Sequence, residues 1–456
     1  MNRVAGRAGI TILLVLILLA GMVFFLAEYV VKAGDWVIFP GSPHVYNGGN
    51  IGCGTVVDRD NVLLLDMNGQ RRYASLEEIR QSTVHWLGDR EGSIDAPALS
   101  EYASQLAGYN LLNGVYVYGD TGGVAQLTLS SKAQSVALQA MGTYKGTVGV
   151  YNYKTGELLC AVTTPTYDPD NAPEINEDTQ DKFDGIYVNR FTQSKYIPGS
   201  VIKIVTLAAA LETIPDIEEQ KFVCRGKYKI NDNEITCEGA HWEQDLKTAF
   251  RNSCNCAFAQ ISEQLQGENL QRYADQFLIT ERVSFDGITT AEGNFDIANT
   301  DALSVAWGSI GQYTDQINPC AFMTFVGAIA ADGQGVQPYL VQSVTAGGIK
   351  SHSAKTQRNE RIMSVTTAKK LQEYLAFNVT DKYGSENFPG LTVCAKTGTG
   401  EVGGGKKPNA LISGFVADEE YPFAFIVVVE DGGYGSEVCV PILSKVLAAC
   451  KEAMDQ

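Results

Sequence analysis

A serine and a lysine three residues apart have the clearest potential for chemistry in this chain. Lys203 follows Ser200 after two apolar residues, and the apolar stretch continues to Leu211. Residues three apart lie on one face of a helix, so the hydroxyl and the amine are predicted to meet. Burial among apolar residues lowers the pKa of a lysine and makes its free amine available near neutral pH. The pattern therefore predicts a serine nucleophile activated by a lysine base.

A second polar motif follows about fifty residues downstream, too far along the chain for the spacing of one helix to connect it with the first. Ser253, Cys254 and Asn255 form a Ser-x-Asn sequence between two helical stretches, 246–250 and 257–265. A short loop between the helices is expected to aim the hydroxyl and the amide at a common cleft. Capping of the adjoining helices is the alternative role for the same side chains.

A Lys-Thr-Gly sequence lies nearer the C-terminus. Lys396, Thr397, Gly398 and Thr399 are predicted to end a strand, and a glycine-rich turn over 400–405 follows. A lysine and hydroxyl groups beside the nucleophile are suited to binding a carboxylate. A glycine without a side chain lets a substrate lie against the backbone. The motif therefore predicts a strand that binds a carboxylate.

Two of these short motifs occur a second time in the chain. Residues 385–387 also read Ser-Glu-Asn, and residues 154–156 also read Lys-Thr-Gly. The second copy precedes Ser200 and lies at the turn of a predicted hairpin, where turn formation explains it. The first copy lies in a polar loop. We therefore assign the chemistry to Ser253 and Lys396.

The ordered set of Ser-x-x-Lys, Ser-x-Asn and Lys-Thr-Gly resembles that of penicillin-binding proteins and serine β-lactamases. From residue 126 to the C-terminus the chain is similar to a class B penicillin-binding protein, a peptidoglycan D,D-transpeptidase. The resemblance implies an α+β domain with a central antiparallel sheet flanked by helices, and the predicted strands at both ends of this region agree with it. The family usually has a glycine after the glutamine of segment 308–312, where this chain has Tyr313.

The resemblance also implies catalytic roles for four residues. Ser200 attacks the carbonyl of the penultimate D-Ala of a stem peptide, and Lys203 acts as its base. Ser253 relays a proton between Lys203 and the leaving amine. Asn255 hydrogen-bonds to the peptide backbone of the substrate.

The remaining motif residues are implied to bind substrate. The hydroxyls of Thr397 and Thr399 join Lys396 in holding the terminal carboxylate of D-Ala-D-Ala, and Gly398 allows the close approach. The backbone N–H groups of Ser200 and Thr399 form an oxyanion hole, and such donors contribute about 3 kcal/mol each in comparable acyl-transfer sites.

The N-terminal region predicts a membrane anchor. Residues 8–27 carry no charge and are dominated by Leu, Ile, Val and Phe, which is enough for one membrane-spanning helix. Arg3 and Arg7 precede this run, which places the N-terminus in the cytoplasm and the remainder outside the cell membrane. A cleaved signal peptide is the alternative. The length of the apolar run and the lack of a small-x-small site before Glu28 favour the anchor.

These features divide the chain into four predicted parts. Residues 1–7 form a cytoplasmic N-terminus and residues 8–30 the transmembrane anchor. Residues 31–123 have short apolar runs, many turn residues and no recognisable chemistry, so we interpret them as a short mixed pedestal without catalytic function. Residues 124–456 form the penicillin-binding transpeptidase domain.

Composition and charge limit the possible functions. The chain has 456 residues, of which 45% are hydrophobic and 19% charged, so it is long enough for two or three domains. Its net charge of -17 disfavours binding to nucleic acid or anionic lipid through the bulk surface. The histidines show no recognisable pattern with the serine motifs, and a Ser–Lys pair needs none. They are His44, His85, His241 and His352.

The ten cysteines are spread along the chain without the spacing of a disulfide framework. Cys224 and Cys237 flank a predicted turn at 231–233, so a disulfide between them is one expectation for an exported domain. A zinc site is the alternative, although the spacing matches no common zinc motif. Its ligands would come from Cys224, Cys237, His241, Cys254 and Cys256.

We predict a D,D-transpeptidase that cross-links stem peptides ending in D-Ala-D-Ala through a Ser200 acyl-enzyme and that β-lactams inhibit covalently. The reaction needs no metal or cofactor. The expected partners are a SEDS-type glycosyltransferase and other membrane proteins of wall synthesis. A membrane-anchored serine β-lactamase or β-lactam sensor is one alternative, although residues 253–396 show no convincing Glu-containing loop of a lactamase. A non-catalytic division scaffold is another, but it has no need of Lys203 or Lys396.

Overall fold

The computed structural model describes residues 2–39, 42, 45–47, 50–109 and 122–455. The α-helices are α1 (Asn2–Val37), α2 (Glu77–Leu87), α3 (Pro97–Glu101), α4 (Ala103–Leu106), α5 (Ser131–Met141), α6 (Arg190–Gln193), α7 (Lys203–Thr213), α8 (Leu246–Arg251), α9 (Asn255–Gln276), α10 (Ala302–Ser309), α11 (Pro319–Ala330), α12 (Val365–Asn378) and α13 (Gly435–Met454). Short 3-10 turns at Gly199–Ile202 and Ser385–Asn387 and a π-helical turn at Val379–Tyr383 complete the helical segments described.

The strands were numbered in chain order. They are β1 (Tyr46–Asn47), β2 (Asn50–Ile51), β3 (Thr55–Val57), β4 (Leu63–Asp66), β5 (Arg72–Tyr73), β6 (Val124–Leu127), β7 (Gly146–Asn152), β8 (Leu158–Thr164), β9 (Lys221–Cys224), β10 (Lys227–Ile230), β11 (Asn233–Thr236), β12 (Trp242–Asp245), β13 (Ser284–Phe285), β14 (Ile288–Thr289), β15 (Val341–Ala346), β16 (Ile349–Ser353), β17 (Val393–Gly400), β18 (Asn409–Val416) and β19 (Phe423–Val429).

A five-stranded antiparallel sheet forms the centre of the molecule. Its strand order is β17-β18-β19-β7-β8, so the C-terminal strands pair with the hairpin formed by β7 and β8. Helices α5 and α13 cover one face and α11 packs on the other. Strands such as β19 are therefore buried along their whole length and read as continuous apolar runs. The predicted α+β fold, with an antiparallel sheet between helices, is confirmed.

A second sheet joins segments that are far apart in the sequence. Its order is β16-β15-β6-β3-β4-β5, and only the β3–β6 pair among these is parallel. Helix α2 packs against α5 and β8 of the central layer, where the indole N–H of Trp86 donates to the carbonyl of Ala161 at 2.7 Å. Segments on both sides of residue 123 thus share a sheet, and the pedestal boundary remains a prediction.

Helix α1 meets the length and hydropathy criteria for a single-pass membrane anchor. The most apolar 18-residue window within Gly6–Gly34 has a mean hydropathy of 3.0. Large apolar side chains along it, such as Leu13 and Phe24, are exposed. A helix that is apolar all round and exposed along its most apolar window is typical of a membrane span.

Helix α13 begins six residues before the predicted start at Pro441. A proline lacks the N–H that an interior helical position donates, so the sequence favours a helix that starts there. The structure places Pro441 inside the helix, whose first residue, Gly435, lies directly against the backbone of Leu411 in β18. Packing on the sheet therefore outweighs the one hydrogen bond that the proline removes.

We predict that acid destabilises the fold through His85. Its ring is buried in α2 with Nε2 2.8 Å from the carbonyl of Ile186, and burial lowers its pKa from 6.5 to about 4. The unfolded chain binds the proton more readily, so this contribution is present above about pH 6.5 and is lost as the pH falls toward 4, by roughly 3 kcal/mol in total. Urea unfolding measured across this range should show a shallower pH dependence for His85→Gln.

The partly exposed His352 gives a matched control for this experiment. His352→Gln should keep the pH dependence of the native chain. An identical pH dependence for His85→Gln and the native chain would contradict the assignment.

Candidate active site

The serine and lysine of the first motif meet at the start of α7. Ser200 lies in the 3-10 turn Gly199–Ile202, and α7 begins at Lys203. Residues three apart eclipse each other in a 3-10 turn. The Lys203 Nζ accordingly lies 2.8 Å from the Ser200 Oγ, and the lysine is fully buried. The contact predicted between the two side chains is therefore formed, but by a 3-10 turn that is tighter than an α-helix.

The Ser-x-Asn motif is the single turn that joins α8 to α9. The Ser253 N–H donates to the carbonyl of Phe250, and the Cys254 N–H donates to that of Ala249, both at 3.0 Å. This pair of bonds is the Schellman ending of a helix, in which the residue at the Ser253 position is left-handed and usually glycine. Ser253 has a φ of 55°. Cys254 then caps α9 by accepting the N–H of Ala257.

The side chains of three motifs converge on the Ser253 turn. The Lys203 Nζ lies 2.8 Å from the Ser253 carbonyl, 3.2 Å from its Oγ and 2.6 Å from the Asn255 Oδ1. The Lys396 Nζ lies 2.9 Å from the same Ser253 Oγ. The amide of Asn255 is oriented by its Nδ2, which donates to the carbonyl of Thr236 at 2.9 Å. The Ser253 hydroxyl is thus shared between the two lysines.

The contacts of Lys203 fit a neutral amine. The Ser253 carbonyl and the Asn255 Oδ1 can only accept hydrogen bonds, so they take two N–H groups of the lysine. The Nζ also lies beside the hydroxyls of Ser200 and Ser253, each of which can donate as well as accept. When the amine is neutral, its lone pair can accept the Ser200 proton. This is the arrangement that a base needs before nucleophilic attack.

Burial controls the charge of both lysines. Burial lowers the pKa of Lys203 to about 8 from its ordinary value of 10.5. Burial also lowers the pKa of Lys396 well below its usual range, and the nearby charge of Lys203 lowers it further. Among the described residues, no carboxylate forms an ion pair with either amine. Free amine is therefore available near neutral pH.

One edge of strand β17 pairs with β18, and the other edge lies beside the 3-10 turn that carries Ser200, called the nucleophile turn below. The Thr397 N–H donates to the Tyr383 Oη at 3.1 Å, so it points away from β18. Backbone groups two residues apart in a strand point the same way. The Thr399 N–H therefore faces the same edge, where the backbone of Thr399 lies directly against Gly199. The Thr399 N–H therefore lies beside the turn that carries Ser200.

The comparison with known families decides the class of this site. The family described as penicillin binding protein transpeptidase domain matches residues 146–448. The chain belongs to this family. The matched residues contain the Ser-x-x-Lys, Ser-x-Asn and Lys-Thr-Gly motifs, so the site lies within the transpeptidase domain.

Relatives and solved structures agree with this membership. The chain is 28% identical over 359 residues to the peptidoglycan D,D-transpeptidase PbpA of Mycolicibacterium smegmatis, which is 72% of each chain. It is 26% identical over 349 residues to the stage V sporulation protein D of Bacillus subtilis, covering 71% of this chain and 52% of that protein.

Two solved structures share the fold. The D,D-transpeptidase domain of a peptidoglycan glycosyltransferase from Eggerthella lenta superimposes with a TM-score of 0.75 at 26% identity, covering 88% of this chain and 98% of that one. Penicillin-binding protein A of M. tuberculosis, as a ceftriaxone acyl-enzyme, superimposes with a TM-score of 0.75 at 23% identity, covering 87% and 98%.

The transpeptidase domain extends β17 beyond its predicted end. The strand continues through Thr399 to Gly400, although threonine and glycine alternate there. Gly398 and Gly400 lie directly against the backbone carbonyls of Pro198 and Ile197. A side chain at either glycine would hold the strand away from the nucleophile turn. Glycine weakens an isolated strand, but at these two positions close packing requires it.

Two residues that position β17 were not identified from the sequence. Tyr383 accepts the Thr397 N–H and its Oη lies 3.0 Å from the Thr397 Oγ1. The Gln312 Nε2 donates to the Thr399 carbonyl at 3.1 Å, while its Oε1 accepts the N–H of Glu401 at 3.3 Å. Gln312 could have been identified, because it lies in the segment 308–312 that resembles the family. Tyr383 gave none, because it lies at the end of an irregular helical turn.

Tyr313 retains the backbone shape of the glycine that the family usually has at this place. Its φ is 68°, in the left-handed region, and its ring is exposed. The preceding Gly311 accepts the N–H of Gly199 at 2.8 Å through its carbonyl. The loop therefore still supports the nucleophile turn.

The repeated motifs lie outside this network. Lys154 is exposed in the turn between β7 and β8, where the Asn152 Oδ1 accepts the backbone N–H groups of Lys154 and Thr155. Ser385 is exposed in its 3-10 turn. Neither side chain hydrogen-bonds to the lysines of the site among the described contacts.

We predict that Tyr383→Phe destabilises the transpeptidase domain. Removal of the hydroxyl leaves the Thr397 N–H without its acceptor at a closely packed edge, which costs about 1–3 kcal/mol. Urea unfolding measures the difference. Tyr228→Phe is the control, because the Tyr228 hydroxyl contacts Glu263 at the surface. Equal stability losses in the two variants would contradict a special role for Tyr383.

Proposed function

We propose that this chain cross-links peptidoglycan by two acyl transfers through Ser200. The Ser200 Oγ attacks the carbonyl carbon of the penultimate D-Ala of a stem peptide, and its proton passes to the Lys203 Nζ. The bond to the terminal D-Ala breaks, its nitrogen takes up a proton, and an ester with Ser200 remains. An amine of a neighbouring stem peptide then attacks the ester, forms an amide and releases Ser200. The contact between Ser200 and a buried lysine carries this proposal.

Ser253 is suited to move the proton between the two halves of the reaction. Its hydroxyl contacts both Lys203 and Lys396, so a proton accepted by Lys203 has a path toward the leaving amine. Asn255 holds Lys203 in place and offers its amide to the substrate backbone. The pairing of an amine base with a hydroxyl relay follows the general rule that proton donors lie within hydrogen-bond reach.

The edge of β17 is suited to the substrate's terminal carboxylate. Thr397 and Thr399 are half-buried and carry their hydroxyls on the same face of the strand, and the buried Gly398 lets the strand lie directly against the turn that carries Ser200. An arriving carboxylate raises the pKa of Lys396, because an opposite charge favours the ammonium form. Substrate binding and recovery of the Lys396 charge are therefore coupled. The N–H groups of Ser200 and Thr399 would stabilise the oxyanion.

The structure favours a transpeptidase over a β-lactamase. A lactamase must activate a water molecule to hydrolyse the acyl-enzyme, usually with a carboxylate base. Within the described part of the chain, no carboxylate hydrogen-bonds to Ser200, Lys203 or Ser253. A scaffold is disfavoured because two buried amines are costly unless they serve a purpose. An acyl-enzyme that persists until an amine arrives follows from this arrangement.

We extend the proposal to location and partners. Arg3 and Arg7, which precede the apolar run of residues 8–27, favour a cytoplasmic N-terminus, and this puts the catalytic domain outside the cell membrane with its substrate. The anchor and the segment 31–123 are the surfaces expected to meet a SEDS-type glycosyltransferase. A penicillin-binding protein of similar fold from Helicobacter pylori, PBP2, forms a complex with MreC, which supports contacts with wall-synthesis proteins.

Covalent labelling by a fluorescent penicillin tests the proposed acyl transfer. A denaturation-resistant adduct should map to Ser200, vanish in Ser200→Ala and be lost only slowly. Ser253→Ala and Lys396→Ala should lower the second-order acylation rate at least about a hundredfold, since they remove positioned proton-transfer and binding groups. Ser385→Ala and Lys154→Ala are the matched controls and should react normally.

Three results of this experiment would contradict the proposal. They are an adduct that survives Ser200→Ala, rapid loss of the label, and normal rates in the Ser253 and Lys396 variants alongside defective controls.

The pH dependence of acylation gives a separate prediction. The neutral form of Lys203 is the base, so the rate should rise with pH and level off above the pKa of about 8. Below it the rate should fall by about tenfold for each pH unit. The midpoint belongs to the Lys203–Lys396 pair, because the two amines share Ser253. A flat profile in protein that circular dichroism shows to be folded would refute the role of Lys203.

A further inference from the structure

Four potential metal ligands meet behind the Ser253 turn. Cys224 ends β9, Cys237 follows β11, His241 precedes β12, and Cys254 lies in the turn itself. One ligand atom from each side chain lies within 4.8 Å of all the others. Pairing of β9 with β12 and of β10 with β11 brings these separate strand ends together. Because the ligands come from several strand ends, their sequence spacing matches no common zinc motif.

The separations between these atoms fit tetrahedral coordination. The Cys237 Sγ lies 4.0 Å from the Cys254 Sγ and 3.6 Å from the His241 Nδ1. A zinc ion with ordinary bond lengths places two sulfur ligands about 3.8 Å apart, and a sulfur and a nitrogen about 3.5 Å apart. A disulfide requires about 2.05 Å between sulfurs. All ten cysteines have free thiols in the structure, so the expected Cys224–Cys237 disulfide is not formed.

The donor set and its burial suit a structural zinc ion. Three thiols and one imidazole are a common closed set for zinc, and thiolates select such thiophilic cations over calcium or magnesium. Cys224 and Cys254 are buried, while Cys237 and His241 are half-buried and leave one side open for entry. Cys254 also accepts the N–H of Ala257 at the start of α9, which fixes the position of its sulfur.

We propose that Cys224, Cys237, His241 and Cys254 bind one zinc ion that holds the Ser253 turn in its active position. Cys254 stands between Ser253 and Asn255, which contact Lys203. Asn255 also donates to the carbonyl of Thr236, next to Cys237. The ion would therefore link the Ser253 turn to the segment that contains strands β9, β10, β11 and β12. It acts on catalysis only by fixing the position of Ser253 and Asn255.

Metal content is the direct test. The full chain, purified without a histidine tag in detergent and thiol reductant, should contain one zinc ion per chain when measured by inductively coupled plasma mass spectrometry. Exchange with Co²⁺ should give the intense visible bands and thiolate charge-transfer absorption of a tetrahedral site. Cys237→Ser and His241→Ala should each lose the metal. Cys53→Ser, which removes a half-buried thiol elsewhere, should retain it.

The wild-type measurements keep the test decisive if a variant does not fold. A folded chain that neither retains Zn²⁺ nor binds added Zn²⁺ or Co²⁺ would overturn the proposal. So would a disulfide among the four ligands in protein isolated without reductant, or full zinc content in both ligand variants.

The effect on catalysis is measured separately. Protein stripped of metal by a chelator, and shown by circular dichroism to remain folded, should be acylated by fluorescent penicillin about tenfold to a hundredfold more slowly, because small displacements of positioned groups cost that much. Added Zn²⁺ should restore the rate. Full-rate acylation in the stripped, folded protein would overturn the positioning role. Metal content is read without any substrate, so failure of the zinc site and failure of the proposed transpeptidation are distinguishable.

Discussion

The active site depends on two buried amines that share one hydroxyl group. Lys203 and Lys396 are both fully buried, and both contact the Ser253 Oγ. A buried amine without a carboxylate partner is stable only if it is largely neutral or well hydrogen-bonded. Three elements must therefore converge: the 3-10 turn with α7, the turn from α8 to α9, and the edge of β17. Displacement of any one removes a hydrogen-bond partner from a buried amine.

Close backbone packing makes this convergence possible. Glycine at 199, 311, 398 and 400 lets the nucleophile turn, its supporting loop and β17 lie directly against one another. The hydrogen bonds of Gln312 and Tyr383 then occupy the edge of β17 on either side of the site. The open edge that remains is short and is bordered by catalytic groups. A sheet edge is ordinarily a hazard for aggregation, whereas in the proposed function this edge receives an extended peptide.

Local chemistry could be read from the sequence, whereas long-range pairing could not. The spacing of Ser200 and Lys203 fixed their contact, because three residues of helix permit little else. The hairpin of β7 and β8 and the helix α5 follow from local periodicity. The six-stranded sheet does not, because it pairs β3 with β6 across an intervening segment that contains β4, β5 and helices α2 to α4. The role of Tyr383 depends on tertiary packing and was likewise hidden. The sequence offered Cys224, Cys237, His241 and Cys254 only within an alternative zinc site, because their meeting depends on strand pairing rather than on spacing.

The left-handed Ser253 places stability and activity in opposition at a single residue. Glycine is the residue that this helix ending prefers, and a non-glycine residue there costs about 1–2 kcal/mol. Replacement by glycine would relax the backbone and remove the hydroxyl that the two lysines share. If a duplicated copy of this protein no longer had to cross-link peptidoglycan, selection for stability alone would favour glycine at this position. A serine retained there marks a chain still selected for its chemistry.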